Sequence, residues 1–135
     1  MPLLVDTGVL YALADKSDAW HARTRAYIES TRDTLLAPVT IVPEVAYLLR
    51  DRIGPHAERA FAAAIANREL AIQDLKLDDW DRAGQLMIQY EQIGLVDATI
   101  VAVAERLKLT LIATTDRRHF EMIRPVHTRR FRLVP

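Results

Sequence analysis

Cysteine is absent from all 135 residues. That excludes disulfides and thiolate chemistry, and it suggests a reducing, cytoplasmic setting. Glycine is scarce at four residues, as expected of a compact globular chain. Neither G-x-x-x-x-G-K-[ST] nor G-x-S-x-G occurs, so P-loop chemistry and the nucleophile elbow are both excluded. No apolar stretch approaches the ~18 residues that span a bilayer, and no membrane partner is expected. The opening Met1-Pro2-Leu3-Leu4-Val5-Asp6 has no basic segment, and Asp6 cuts its apolar run short. It does not read as a signal peptide. Net charge is zero, with 18 basic and 18 acidic residues, so bulk charge implies neither a nucleic acid nor a membrane.

The kind and placement of charge say more. Fifteen of the 18 cations are arginine, and Arg117, Arg118, Arg124, Arg129, Arg130 and Arg132 fall near the end, opposed only by Glu121. Arginine forks suit phosphate oxygens and stack on bases. Taken alone, such a tail reads equally as a solvated basic face. With half of its residues hydrophobic, the chain is long enough for a proper core. No repeat or linker interrupts it, and the expectation is one domain over residues 1–135.

Short apolar runs alternate with helical patterns. Leu3–Val5 reads as a buried strand ending at Asp6, with Thr7-Gly8 as a turn and Val9–Ala14 as a short helix. Asp18 is expected to cap a helix to about Thr31, and Leu35–Val39 to form a second strand. Thr40 is the expected cap of the next helix, with Pro43 in its first turn and Val45, Leu48, Leu49 and Ile53 as its core stripe. After Gly54-Pro55 a further helix carries Ala57, Ala60, Phe61, Ala64 and Ile65, and Leu70–Ile72 is a third strand. A long helix led by Asp78, Asp79 and Asp81 is expected to run to Ile93, where Gly94 stops it. Its stripe is Ala83, Leu86, Met87 and Tyr90. Ala98–Leu107 follows, so apolar that it must be buried, with only Thr99, Glu105 and Arg106 fit for water. Thr110–Thr114 and Phe131–Val134 are the last strands. This alternation predicts an α/β fold with a parallel sheet covered on both faces.

Four acids stand at revealing places. Asp6 and Asp116 follow strands, Asp97 opens the buried helix, and Glu44 lies in a helical first turn. Each also fits a cap, a turn or a dipole-compensating acid. Together they fit those roles less well. Carboxylates converging to ~4 Å without a cationic partner repel by roughly 4 kcal/mol per pair at an effective dielectric of 20. A cation resolves this, and all-oxygen ligands favour Mg²⁺ or Mn²⁺ over Zn²⁺. His21 and His56 read as surface residues, and His119 reads as a packing residue despite its closeness to Asp116. Asp6-Thr7-Gly8 lacks the second acid of the D-x-D used by aspartyl-phosphate phosphatases.

Asp6-Thr7, Glu44, Gly94-Leu95-Val96-Asp97-Ala98-Thr99-Ile100 and Thr114-Thr115-Asp116-Arg117-Arg118-His119-Phe120 together resemble a PIN-domain ribonuclease. The similarity is greatest to VapC-type toxins of type II toxin–antitoxin pairs, and it covers essentially the whole chain. It implies a three-layer sandwich around a five-stranded parallel sheet. It also implies that Asp6, Glu44, Asp97 and Asp116 hold one or two Mg²⁺ or Mn²⁺ ions, supported by Thr7 and Thr115. Phosphodiester hydrolysis suits that set: Asp6 and Asp116 ligate, Asp97 completes the shell, Glu44 orients a water at the ion, and Arg117 and Arg118 steer the RNA backbone. The implied partners are RNA, a cognate antitoxin and a second copy of the chain in a homodimer. A PIN-fold nuclease of RNA processing outside a toxin pair is the nearest alternative. A non-catalytic RNA-binding module using the arginine tail is another. A receiver-like signalling domain would need an adjacent acid pair after the first strand and a lysine after the last, and neither is present.

Overall fold

Leu3–Val5, three residues with no solvent exposure, form the central strand β1. The structure is a computed structural model that describes residues 1–135. Around β1 lie β2 (Leu35–Pro38), β3 (Ala71–Gln73), β4 (Leu111–Ala113) and β5 (Arg132–Val134), all parallel, in the order β3-β2-β1-β4-β5. The chain steps outward from β1 to β3, crosses back to β4 and continues to β5. Right-handed crossovers therefore place the helices before β3 on one face and those after it on the other. The helices pack accordingly. On one side α1 (Thr7–Ala14) meets α2 (His21–Ser30) and α3 (Val42–Arg52), and α3 meets α4 (Pro55–Ala66). On the other, α5 (Leu77–Gln89) lies along α6 (Leu95–Leu107), and α7 (Arg117–Met122) follows β4. The strand order reverses between β1 and β4, and ligands of open α/β sheets bind at the carboxyl ends of strands flanking such a point.

The expected elements are present, and their ends differ for local reasons. Thr7 and Gly8 belong to α1 itself, because Asp6 caps the helix by accepting from the Thr7 amide. Asp18 accepts from the Trp20 amide in a turn of its own, so α2 starts only at His21. Thr40 caps nothing. It sits in a 3-10 turn (Val39–Ile41), and its hydroxyl lies 2.8 Å from that of Thr99. β3 is one residue later than expected, and α5 stops at Gln89, well short of Ile93. Gly94 begins α6 rather than ending α5. Gly54, at φ 149°, makes the α3–α4 corner in a region that side chains avoid.

Helix α6 is buried continuously from Ala98 to Glu105. Thr99 and Glu105, expected in water, are therefore inside. Thr99 donates to the Val96 carbonyl, which leaves Thr40 as donor of the hydroxyl pair. Glu105, only 8% exposed, receives two hydrogen bonds from Arg82 and one from the Val126 amide. Arg106 turns back to Asp79, which also closes a capping box with Lys76 at the start of α5. Two arginine–carboxylate pairs thus bind α5 to α6 from the polar side, while Ala83 and Leu86 of α5 fill the core between them. Met87, expected in that stripe, stays on the surface.

Candidate active site

Asp6 stands where β1 ends and α1 begins, and its carboxylate is fixed from two directions. Oδ1 accepts from the Thr7 amide at 2.6 Å, and Oδ2 accepts from the Thr114 hydroxyl at 2.8 Å. The same Thr114 oxygen accepts from the Asp116 amide at 2.9 Å, so one threonine past β4 links both strand-end acids. Thr7 serves twice as well: its hydroxyl donates to Glu44 Oε1 at 2.6 Å, tying α3 to the end of β1. Asp97 enters from the first turn of α6. A cleft of about 470 Å³ brings Asp6, Thr7, Glu44, Asp97, Thr115 and Asp116 together at the carboxyl edge of the sheet.

Gly8 explains how tightly this edge is built. A Cβ there would lie 2.2 Å from the Thr115 hydroxyl oxygen, so any side chain would push Thr115 away. Thr115 therefore lines the cleft and packs on α1, while the hydrogen bonds to Asp6 and Asp116 are made by its neighbour Thr114.

Electrostatics set these acids apart. No lysine or arginine forms an ion pair with Asp6, Glu44, Asp97 or Asp116. Burial pushes the Asp97 carboxyl up to about 6, and Asp6, Asp116 and Glu44 add to the effect against the opposing pull of His119. Asp6 is raised too, chiefly by burial, because its hydrogen bonds from Thr114 and Thr7 offset only part of the cost. His119 is the member that sequence reasoning missed. Its Nδ1 lies 2.8 Å from Asp116 Oδ2 and 3.4 Å from Asp97 Oδ2, with ligand atoms of all three within 4.8 Å of one another. That nitrogen is buried, and its geometry makes no hydrogen bond. A nitrogen without a hydrogen bond, among uncompensated carboxylates, fits a divalent cation with mixed oxygen and nitrogen ligation.

A family model described as the PIN domain matches residues 3–124, most of the chain. The chain belongs to the PIN-domain family. Over 135 residues this PIN domain is 31% identical to Ribonuclease VapC26 of Mycobacterium tuberculosis, covering 98% of the chain and all of the relative. Its fold is similar to the crystal structure of VapC20 from Mycobacterium tuberculosis, described as a toxin that cleaves the sarcin–ricin loop (TM-score 0.76, 23% identity, 82% of this chain and 86% of that one). A toxin–antitoxin complex from Klebsiella pneumoniae is likewise similar (TM-score 0.72, 22% identity, 96% and 99% covered). At those identities the likeness concerns the fold.

The two arginines expected to steer the RNA backbone lie beside the site. Arg117 opens α7 directly after Asp116, but its guanidinium donates to the carbonyls of Pro135 (2.9 Å) and Leu133 (3.3 Å). Arg118 is exposed and unpaired. His119 had one legible signal, its i+3 spacing from Asp116, which puts both on one face once a helix starts at residue 117.

Proposed function

We propose that this PIN domain is an endoribonuclease that hydrolyses RNA phosphodiester bonds with Mg²⁺ or Mn²⁺, as the toxin of a toxin–antitoxin pair. The observation that carries the reading is the set of acids at the β1/β4 switch with no lysine or arginine to neutralise them and only the His119 imidazole beside them. Full-length kinship to a ribonuclease supports the activity, and the toxin–antitoxin relatives support the pairing.

Asp6, Asp97 and Asp116 would hold the ion, with Glu44 beside them and His119 as an additional ligand. When bound, a divalent ion relieves charge on the phosphoryl oxygens and makes a coordinated water more acidic. The protein's own part is orientation. Thr7 and Thr114 lock the Asp6 carboxylate, Thr114 also sets the backbone of Asp116, and the Thr7 hydroxyl aims Glu44 from the α3 side, suited to orienting the attacking water. Thr115 supports the site by holding α1 at its distance through Gly8. Arg117 and Arg118, one turn from the acids, would guide the strand's phosphates. The proposed partners are RNA, a cognate antitoxin protein and a second copy of the chain, with residues 1–135 acting as one domain.

The test is cleavage of labelled RNA by the purified protein in Mn²⁺, in Mg²⁺ and in chelator. Cleavage with either ion and none in chelator is expected, with co-expression of the adjacent reading frame suppressing toxicity. Metal-independent cleavage, or none under any condition, would remove the reading.

A further inference from the structure

A second and larger cleft, of about 770 Å³, lies outside the acidic site and is lined by Arg117, Glu121, Arg124, Arg129, Arg130 and Phe131 among others. Four guanidinium groups face one carboxylate there, and that carboxylate stands 3.8 Å from Arg117. Arg129 and Arg130 are exposed, and no acid pairs with either. In a chain of zero net charge this is a local concentration of uncompensated positive charge, the mirror image of the acidic site. Its position relates the two. Arg117 follows Asp116, so both clefts share one piece of backbone at the end of β4. From there the arginine cleft follows β5 back to Arg129 and Arg130, which precede that strand. At about 3.3 Å per residue, Phe131 and Leu133 line it roughly 7 Å apart.

Strand β5 is an edge strand, and a free edge invites an added peptide strand. Here Arg117 already donates to the carbonyls of Leu133 and Pro135 along that edge, which removes acceptors that a new strand would need. The guanidinium forks remain, and they match phosphate oxygens. Phe131 is only 6% exposed and sits against His127, so its ring face is not free to stack on a base. A cleft of this kind binds the backbone without reading sequence.

The geometry points to a second RNA site: the arginine cleft beside β5 holds the phosphates of the RNA strand flanking the bond presented to the acidic cleft. This rests on the ribonuclease reading. Binding of a mixed-sequence single-stranded RNA, followed by fluorescence anisotropy in chelator across a salt series, tests it. Arg129→Ala with Arg130→Ala should weaken binding and reduce the slope of log affinity against log salt by about 1.4, at about 0.7 for each phosphate that an arginine no longer neutralises. Arg32→Ala with Arg59→Ala removes the same charge elsewhere and should leave the slope unchanged, and both double variants should melt with the wild type. An unchanged slope in the cleft variant, or an equal loss in the control, overturns the proposal. So does a polyglutamate chain that outcompetes the RNA and loses its binding in the cleft variant, since that assigns the cleft to an acidic protein segment. Cleavage in Mn²⁺, measured in parallel, separates the two readings. A slope reduced in the variant without any wild-type cleavage supports the cleft and removes the ribonuclease, whereas cleavage with an unchanged slope does the reverse.

Discussion

Buried acids occur in two regions of this protein, and the fold treats them in opposite ways. Between α5 and α6, Asp79 and Glu105 are 2% and 8% exposed, and each is met by an arginine. Burial alone would raise the Asp79 carboxyl, but Arg106, the Lys76 amide and the charges of both residues outweigh it and leave it below the usual range. At the β1/β4 edge, burial pushes Asp97 up to about 6 and raises Asp6, with hydroxyls, amides, other carboxylates and the His119 imidazole around them. A chain with 15 arginines and two of them spent on α5–α6 has the means to neutralise its site acids. It leaves them bare. The first pair of acids ties α5 to α6, while the second group has the charge balance that the proposed cation would complete.

The largest expected effects are on activity. Asp6→Asn, Asp97→Asn or Asp116→Asn should each lower RNA cleavage in Mn²⁺ by about 10²- to 10⁴-fold with circular dichroism unchanged. Glu44→Gln should cost less, about 10- to 100-fold, because a partner of the ion's surroundings matters less than a ligand. Wild-type rates in Asp97→Asn would end the site assignment. On the structural side, Arg82→Met should leave Glu105 without its cation and cost about 3 kcal/mol in urea unfolding. Activity per folded molecule should hold.

The two groups of acids should also differ in how their stability depends on pH. Asp97 has a raised carboxyl, so the stability it contributes is full below the unfolded value near 3.8 and lost as pH rises through about 6. Metal-free protein should lose on the order of 3 kcal/mol between those limits, and Asp97→Asn should flatten that fall. Asp79 has the opposite sign: its stability is present above the unfolded value and lost as pH falls through its lowered one. The smallest expected effect is the response to metal. At 100 times its dissociation constant, Mn²⁺ should add about 2.7 kcal/mol, several degrees of melting temperature. Asp97→Asn should melt higher than wild type in chelator and gain less from Mn²⁺. Equal wild-type melting temperatures with and without the ion would mean that the bare acids hold no metal.

Much of this was legible along the chain because it is local. The apolar runs at Leu3–Val5 and Leu111–Ala113 are strands, Pro43 sits in the first turn of α3, Asp6 follows β1 directly, and Asp116 lies between β4 and α7. Local spacing also carried the PIN-like resemblance. The misreadings occurred where a distant partner decides. Glu105 and Thr99 looked fit for water because their partners, Arg82 and Thr40, lie 23 and 59 residues away. Thr114 carried no local signal either, because it reaches Asp6 across 108 residues. His119 read as packing because its second neighbour, Asp97, arrives on another helix.

By itself, the sequence determined which segments become strands and helices, and that acids would end two strands and open one buried helix. Those outcomes depend on hydrophobic period and backbone preference, which act over a few residues. Which acids received an arginine and which did not was settled by packing in three dimensions. A buried charge is stabilised by whatever lies within a few ångströms of it in space, and chain separation does not report that distance.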